Sequence, residues 1–273
     1  MPKNDQGGFV LYGTVAFLAM ALLAFALGWS SRITQNEMAK QSIVYDDSIQ
    51  RVKTAISQWY EINAATNSQN ADAFSDIFLQ SNFAQNLPTP VNIKSSVLIG
   101  QNCTDLKYCS PYHVFAIWVP PKGGVDTSTF NPATGAFSPA PNVASLVLST
   151  KSIQDALLTK SISALDNLGA RLAQRFSSEF GVSTGHSSIN LFRAQDCSNP
   201  APDDIPCINT YASVVASNFP AITNISPLEM RDAWGNDFLF SNLQNSNLDI
   251  PYTASLEMIT PWGQPIFMTV TQP

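Results

Sequence analysis

Between Phe9 and Trp29 the chain reads FVLYGTVAFLAMALLAFALGW, with no charged position. At 1.5 Å per residue a helix of this length covers roughly the 30 Å hydrocarbon core of a bilayer. The run is longer than the about 7 to 15 apolar residues of a cleavable secretory signal, and Trp29 stands at its far end as an interfacial anchor would. It predicts a retained membrane span. The pattern then changes period. Residues 30–66 contain no Pro and no Gly, and Tyr45, Ile49, Val52, Ile56 and Trp59 recur at spacings of four and three. That spacing predicts an amphipathic helix with one apolar stripe, Asp46, Asp47, Arg51 and Lys53 lying on its other faces. An uninterrupted helix from Phe9 to about Thr66 would be roughly 87 Å long, lipid-soluble in its first half and amphipathic in its second.

Beyond residue 66 short apolar runs alternate with turn signals. His113–Val119, Val143–Leu148, Ser188–Phe192, Phe238–Ser241, Ser255–Ile259 and Ile266–Val270 read as strands, and the stretch between Val119 and Val143 as a long loop. From Ser152 to Phe180, Ile153, Leu157, Ile162, Leu165, Leu168, Leu172, Phe176 and Phe180 trace one helical face that Gly181 is placed to end. The expected fold class is α+β: a long N-terminal helix packed on an antiparallel head with a second helix. The expected organisation is a leader at 1–8, a span at 9–29, its amphipathic continuation at 30–66 and a head at 67–273.

Composition narrows the function. Charged residues make up 12% of the chain and the net charge is −6, without a Lys/Arg cluster to neutralise phosphates, so nucleic acid is not an expected partner. All four cysteines follow the apolar run, as the local pairs Cys103 with Cys109 and Cys197 with Cys207. An even count in turn-rich sequence points to disulfides in an oxidising compartment. Sequence allows three pairings; closing short loops favours the two local ones. Zinc would ask for tighter spacing and nearby His. The only histidines, His113 and His186, lack a nucleophile or metal motif at recognisable spacing, and Ser187 beside His186 makes no such motif. The adjacent pairs Asp46–Asp47 and Asp203–Asp204 do not form a carboxylate dyad. The expectation is therefore a protein that is not an enzyme.

Two short segments are alike: DAWGNDFLF from Asp232 to Phe240 and TPWGQPIFM from Thr260 to Met268. Each places Trp-Gly in a turn before a strand. Gly235 and Gly263 can take positive φ without penalty, and Trp234 and Trp262 can plug the core.

The segment QGGFVLYGTVAF resembles the start of type IV pilins and of the pseudopilins of type II secretion, where a polar leader ends in Gly and the mature chain begins with Phe. The Asp-x-Trp-Gly element at Asp232–Gly235 is similar to one that recurs in pseudopilin heads. The resemblance implies that a prepilin peptidase cuts between Gly8 and Phe9, that Phe9 is then methylated, and that the helix packs with other pilin subunits into a filament core. It implies residence in the bacterial inner membrane with a periplasmic head before assembly. The family usually carries Glu where this chain has Gly13. That carboxylate compensates a neighbour's terminal amine in an apolar core, so its loss implies a minor subunit, tolerable once at a filament tip. In some relatives a loop near the Trp-Gly element binds calcium. Asp232 and Asn236 carry suitable oxygens, although turn formation accounts for both residues as well. Two other functions remain open: a tip adhesin touching a surface receptor through the 119–143 and Cys197–Cys207 loops, and a membrane-tethered periplasmic enzyme using His186.

Overall fold

The computed structural model describes residues 43–64, 74–99, 105–182, 190–202, 204–215, 219–243 and 251–272. The leader, the apolar run 9–29 and the first part of the amphipathic segment lie outside the described residues, as do Gly8, Phe9, Gly13, Cys103 and His186.

Helix α1 is described over residues 43–62. Its stripe is buried as the spacing predicts at Ile49, Val52 and Ile56, and then passes to Tyr60, while Tyr45 and Trp59 pack at the edges of the same cluster. The drift from Trp59 to Tyr60 reflects the mismatch between a 3.5-residue stripe and a 3.6-residue turn. The expected long N-terminal helix is corrected here. Among the described residues no helix is long and apolar enough to cross a membrane, and α1 is followed by a turn at Asn63.

A short helix, α2 (Asp76–Phe83), starts where Ser75 accepts a hydrogen bond from the Phe78 amide. Strands β1 (Asn92–Leu98), β2 (Tyr112–Trp118) and β5 (Ser145–Ser149) form an antiparallel sheet with β2 in the centre. One face of β2, with Phe115 and Ile117, meets α1 and α2. The other face is covered by the hairpin of β3 (Thr129–Asn131) and β4 (Ala136–Ser138), where Phe137 lies 5.0 Å from Trp118. A strand covered on both faces is apolar throughout, which is why YHVFAIW does not alternate. The segment expected to be a long loop is thus partly a folded hairpin. Asp126 fastens its root by accepting from Trp118 Nε1 (2.7 Å), Asn92 Nδ2 (3.3 Å) and the Ser128 amide (2.9 Å), and these bonds hold its carboxyl below the usual aspartate range.

Helix α3 (Lys151–Val182) follows β5 directly. Ile153 belongs to the α1 cluster, whereas Leu158, Leu165, Leu168 and Leu172 belong to a second cluster against a four-stranded antiparallel sheet. That sheet runs in the order β6 (Ala212–Ser213), β7 (Leu239–Ser241), β8 (Thr253–Ile259), β9 (Pro265–Thr271). The small helix α4 (Phe219–Thr223) and a 3-10 turn at Pro227–Met230 fill one end. No strand forms at the described part of the expected Ser188–Phe192 segment: Asn190 turns the chain by accepting from the Phe192 amide, and Phe192 is buried without strand pairing. The molecule therefore holds two cores, one under α1 and one under α3.

Candidate functional site

The two Trp-Gly segments are the same turn made twice. In the first, the Asp232 amide donates to the Asn236 carbonyl (2.9 Å) and the Gly235 amide to the Asp232 carbonyl (3.1 Å); in the second, Thr260 donates to Gln264 (2.9 Å) and Gly263 to Thr260 (2.8 Å). The glycines have φ of +90° and +81°, and open space surrounds both, so backbone conformation alone calls for glycine there. The opening residue closes each loop with its side chain. Asp232 Oδ1 accepts from the Trp234 amide (2.9 Å) and the Asn236 amide (2.8 Å), and Thr260 Oγ1 accepts from the Gln264 amide (2.8 Å). The two indoles meet edge to face with centroids 5.6 Å apart.

Asp232 and Asn236 are engaged with one another rather than turned to a common cation. Asn236 donates through Nδ2 to Asp232 Oδ2 at 3.0 Å, so the amide presents nitrogen, not oxygen, to the carboxylate. Burial pushes the Asp232 carboxyl up, against the pull of its hydrogen bonds. Among the described residues no group of three or more His, Cys, Asp or Glu is arranged to hold a metal.

The first turn is also wired into the interior. Trp234 Nε1 donates to Gln154 Oε1 (3.2 Å), and Gln154 Nε2 donates to the Tyr60 hydroxyl (3.1 Å) and to the Ala64 carbonyl (3.4 Å). Tyr60 in turn shares a hydrogen bond with His113 Nδ1 at 3.1 Å, and burial pushes its phenol up. About two turns further along α3, Ser161 accepts from the Ala233 amide (2.9 Å). Gln154 and Ser161 are both fully buried, seven residues apart and hence on one helix face. This network joins α1, β2, α3 and the Trp-Gly turn, with its Tyr60, His113, Gln154 and Trp234 links buried. In the sequence Gln154, Ser161 and Tyr60 interrupt or border apolar stripes, and a polar residue at a core position of the α3 period is the one signal that marks the first two.

Cys197 and Cys207 are joined in a disulfide with Cα atoms 5.4 Å apart, and Cys109 is disulfide-bonded as well. The Cys197–Cys207 bond pins a Pro-rich loop whose described residues around Asp196–Ala201 are exposed. His113 is 1% exposed and stacked on Phe74 with ring centroids 4.7 Å apart, a core residue, while His186, the residue of the enzyme reading, lies outside the described residues. No protein-family model, curated protein or solved structure matches this chain.

Proposed function

We propose that the chain is a minor subunit of a type IV pilus-like filament, held in the inner membrane by the apolar run 9–29 until a prepilin peptidase cuts between Gly8 and Phe9. With the single continuous rod set aside, the reading rests on the leader junction, the apolar run and the head. The observation that carries it is α1: the first described element after the apolar run is a helix whose stripe at Ile49, Val52, Ile56 and Tyr60 is buried on an antiparallel sheet. A head docked in this way on the chain that leaves the membrane suits a subunit displayed from a filament core. Disulfides at Cys197–Cys207 and Cys109 suit an exported head. Gly13, in place of the family's glutamate, suits a subunit used sparingly.

Intact mass and N-terminal peptide mapping of the chain co-expressed with a prepilin peptidase test the reading. The expected product has lost residues 1–8 and begins at Phe9, methylated. Protein that keeps Met1 in the presence of an active peptidase contradicts it. The exposed, disulfide-pinned loop at Cys197–Cys207 favours a second function for the same subunit, attachment at a filament tip. Deleting residues 198–206 is expected to abolish attachment while filaments remain, and attachment that survives the deletion rejects it.

A further inference from the structure

The sheet β6-β7-β8-β9 packs one face on α3 through Phe240, Ala254, Leu256, Met258 and Val270. Alternation turns Glu257 to the other face, directly between Leu239 on β7 and Phe267 on β9. A carboxylate on a sheet face away from the core is ordinarily open to water. Glu257 is only 8% exposed. Its cross-strand neighbours flank it, and Tyr211 reaches across the face: its hydroxyl is 2.7 Å from Ser255 Oγ and its ring 5.7 Å from that of Phe267. Among the described residues no donor meets the Glu257 carboxylate, and burial alone pushes its pKa up. Arg231, which bridges to the segment just before β7, is engaged by Asp237 at 2.9 Å.

The surface around this acid is apolar and open. Phe267 is 51% exposed and Ile259 46% exposed. A groove of about 340 Å³ lies beside the acid, lined by Leu239, Ile259, Pro261 and Gly263 together with the polar Asn236, Asp237 and Thr260, and Leu239 is the cross-strand neighbour that joins this groove to Glu257. The Glu257 side chain is covered along its length while its carboxylate still reaches the surface between apolar side chains, and a cation supplied from outside would restore the solvation that these neighbours take from it. Phe267 and Tyr211 offer ring faces to the same cation. We propose that this face docks another protein through one Lys or Arg side chain that reaches Glu257, with apolar neighbours covering Phe267 and Ile259. A second copy of this chain fits less well, since at net charge −6 two copies repel. The inference does not depend on the filament reading.

The test uses the purified full-length chain in detergent and three acetylated, amidated tripeptides, Leu-Lys-Leu, Leu-Arg-Leu and a norleucine-centred control, with affinities read by NMR titration. The basic peptides are expected to shift Tyr211 and Phe267 and to bind about tenfold tighter than the control, in the range of one charge-assisted contact. Glu257→Gln should erase that preference and keep the weak apolar binding. Phe267→Ser, at a half-exposed position outside the core, should weaken the basic peptides about fivefold. Equal binding of the norleucine peptide, or an unchanged preference in Glu257→Gln, overturns the proposal. Lysine amide alone binding as tightly as the tripeptides overturns the protein partner and leaves a small-amine site.

Discussion

At the first Trp-Gly turn the opening residue is Asp232, whose carboxylate takes three donors; at the second it is Thr260, whose hydroxyl takes one. The indole of the first turn donates to Gln154, while Trp262 Nε1 is buried without a partner. Backbone geometry is otherwise shared. The fold of a turn and its energetic weight are thus set separately: φ and the short loop demand Gly and a capping oxygen, and the surroundings decide what else hangs on them. Asp232 stands against α3 and its polar network, whereas the second turn leads into edge strand β9.

Substitutions can break this contrast. The largest effect is expected at the capping residue: Asp232→Ala strands two amides and the Asn236 side chain and should cost about 3 kcal/mol, against about 1 kcal/mol for Thr260→Ala, measured by urea denaturation. Next come the indoles. Trp234→Phe leaves Gln154 Oε1 buried without its donor and should cost about 2 kcal/mol, while Trp262→Phe removes an unpaired donor and should cost about 1 kcal/mol or less. The glycines should behave alike, Gly235→Ala and Gly263→Ala each losing about 1 kcal/mol to left-handed strain with no clash to separate them. Unequal glycine effects would show that one turn carries a constraint its open surroundings do not reveal.

The smallest effect separates two acids whose pKa burial raises. Asp232 is surrounded by donors and Glu257 by none, and burial raises both. A raised folded-state pKa means that the ionised form is penalised in the fold, so Glu257 destabilises increasingly as pH rises from the unfolded value through the folded one. Glu257→Gln should therefore raise the melting temperature slightly at pH 7, with the gain fading below about pH 4, where both states are protonated. A lowered melting temperature at pH 7 would mean that the carboxylate holds a stabilising contact.

Periodicity made α1, α3 and the central strands legible, because their apolar positions follow the helical repeat or form runs covered on both sides. It reached α3 almost to its ends: Ser152–Phe180 expected, Lys151–Val182 observed. Strand β1 escaped it, since NIKSSVL carries Lys94 on the side that pairs with Asp76 and buries Ser95 and Ser96, so neither alternation nor an apolar run appears. Helix α2 is a short element whose existence depends on packing Leu79 and Phe83 beneath α1. The continuous N-terminal helix was inferred from composition, which shows that residues favour a helix but not where tertiary packing lets one begin or end. Of the site, the twin turns were visible as repeated Trp-Gly and the glycines as turn formers. Gln154, Ser161 and Glu257 were not, because a buried polar residue in one sequence looks like a surface residue until its partners, or their lack, are in view.

The link that sets the first turn apart is the hydrogen bond from Trp234 to Gln154, which ties it through Tyr60 to α1. A double-mutant cycle with Trp234→Phe and Gln154→Leu measures that link directly, each variant unfolded in urea at pH 7. A coupling of about 1 kcal/mol or more between the two sites is predicted, as for buried partners in one network. Effects that add to within about 0.4 kcal/mol would contradict it, leaving the first turn energetically unconnected to α1 through Gln154.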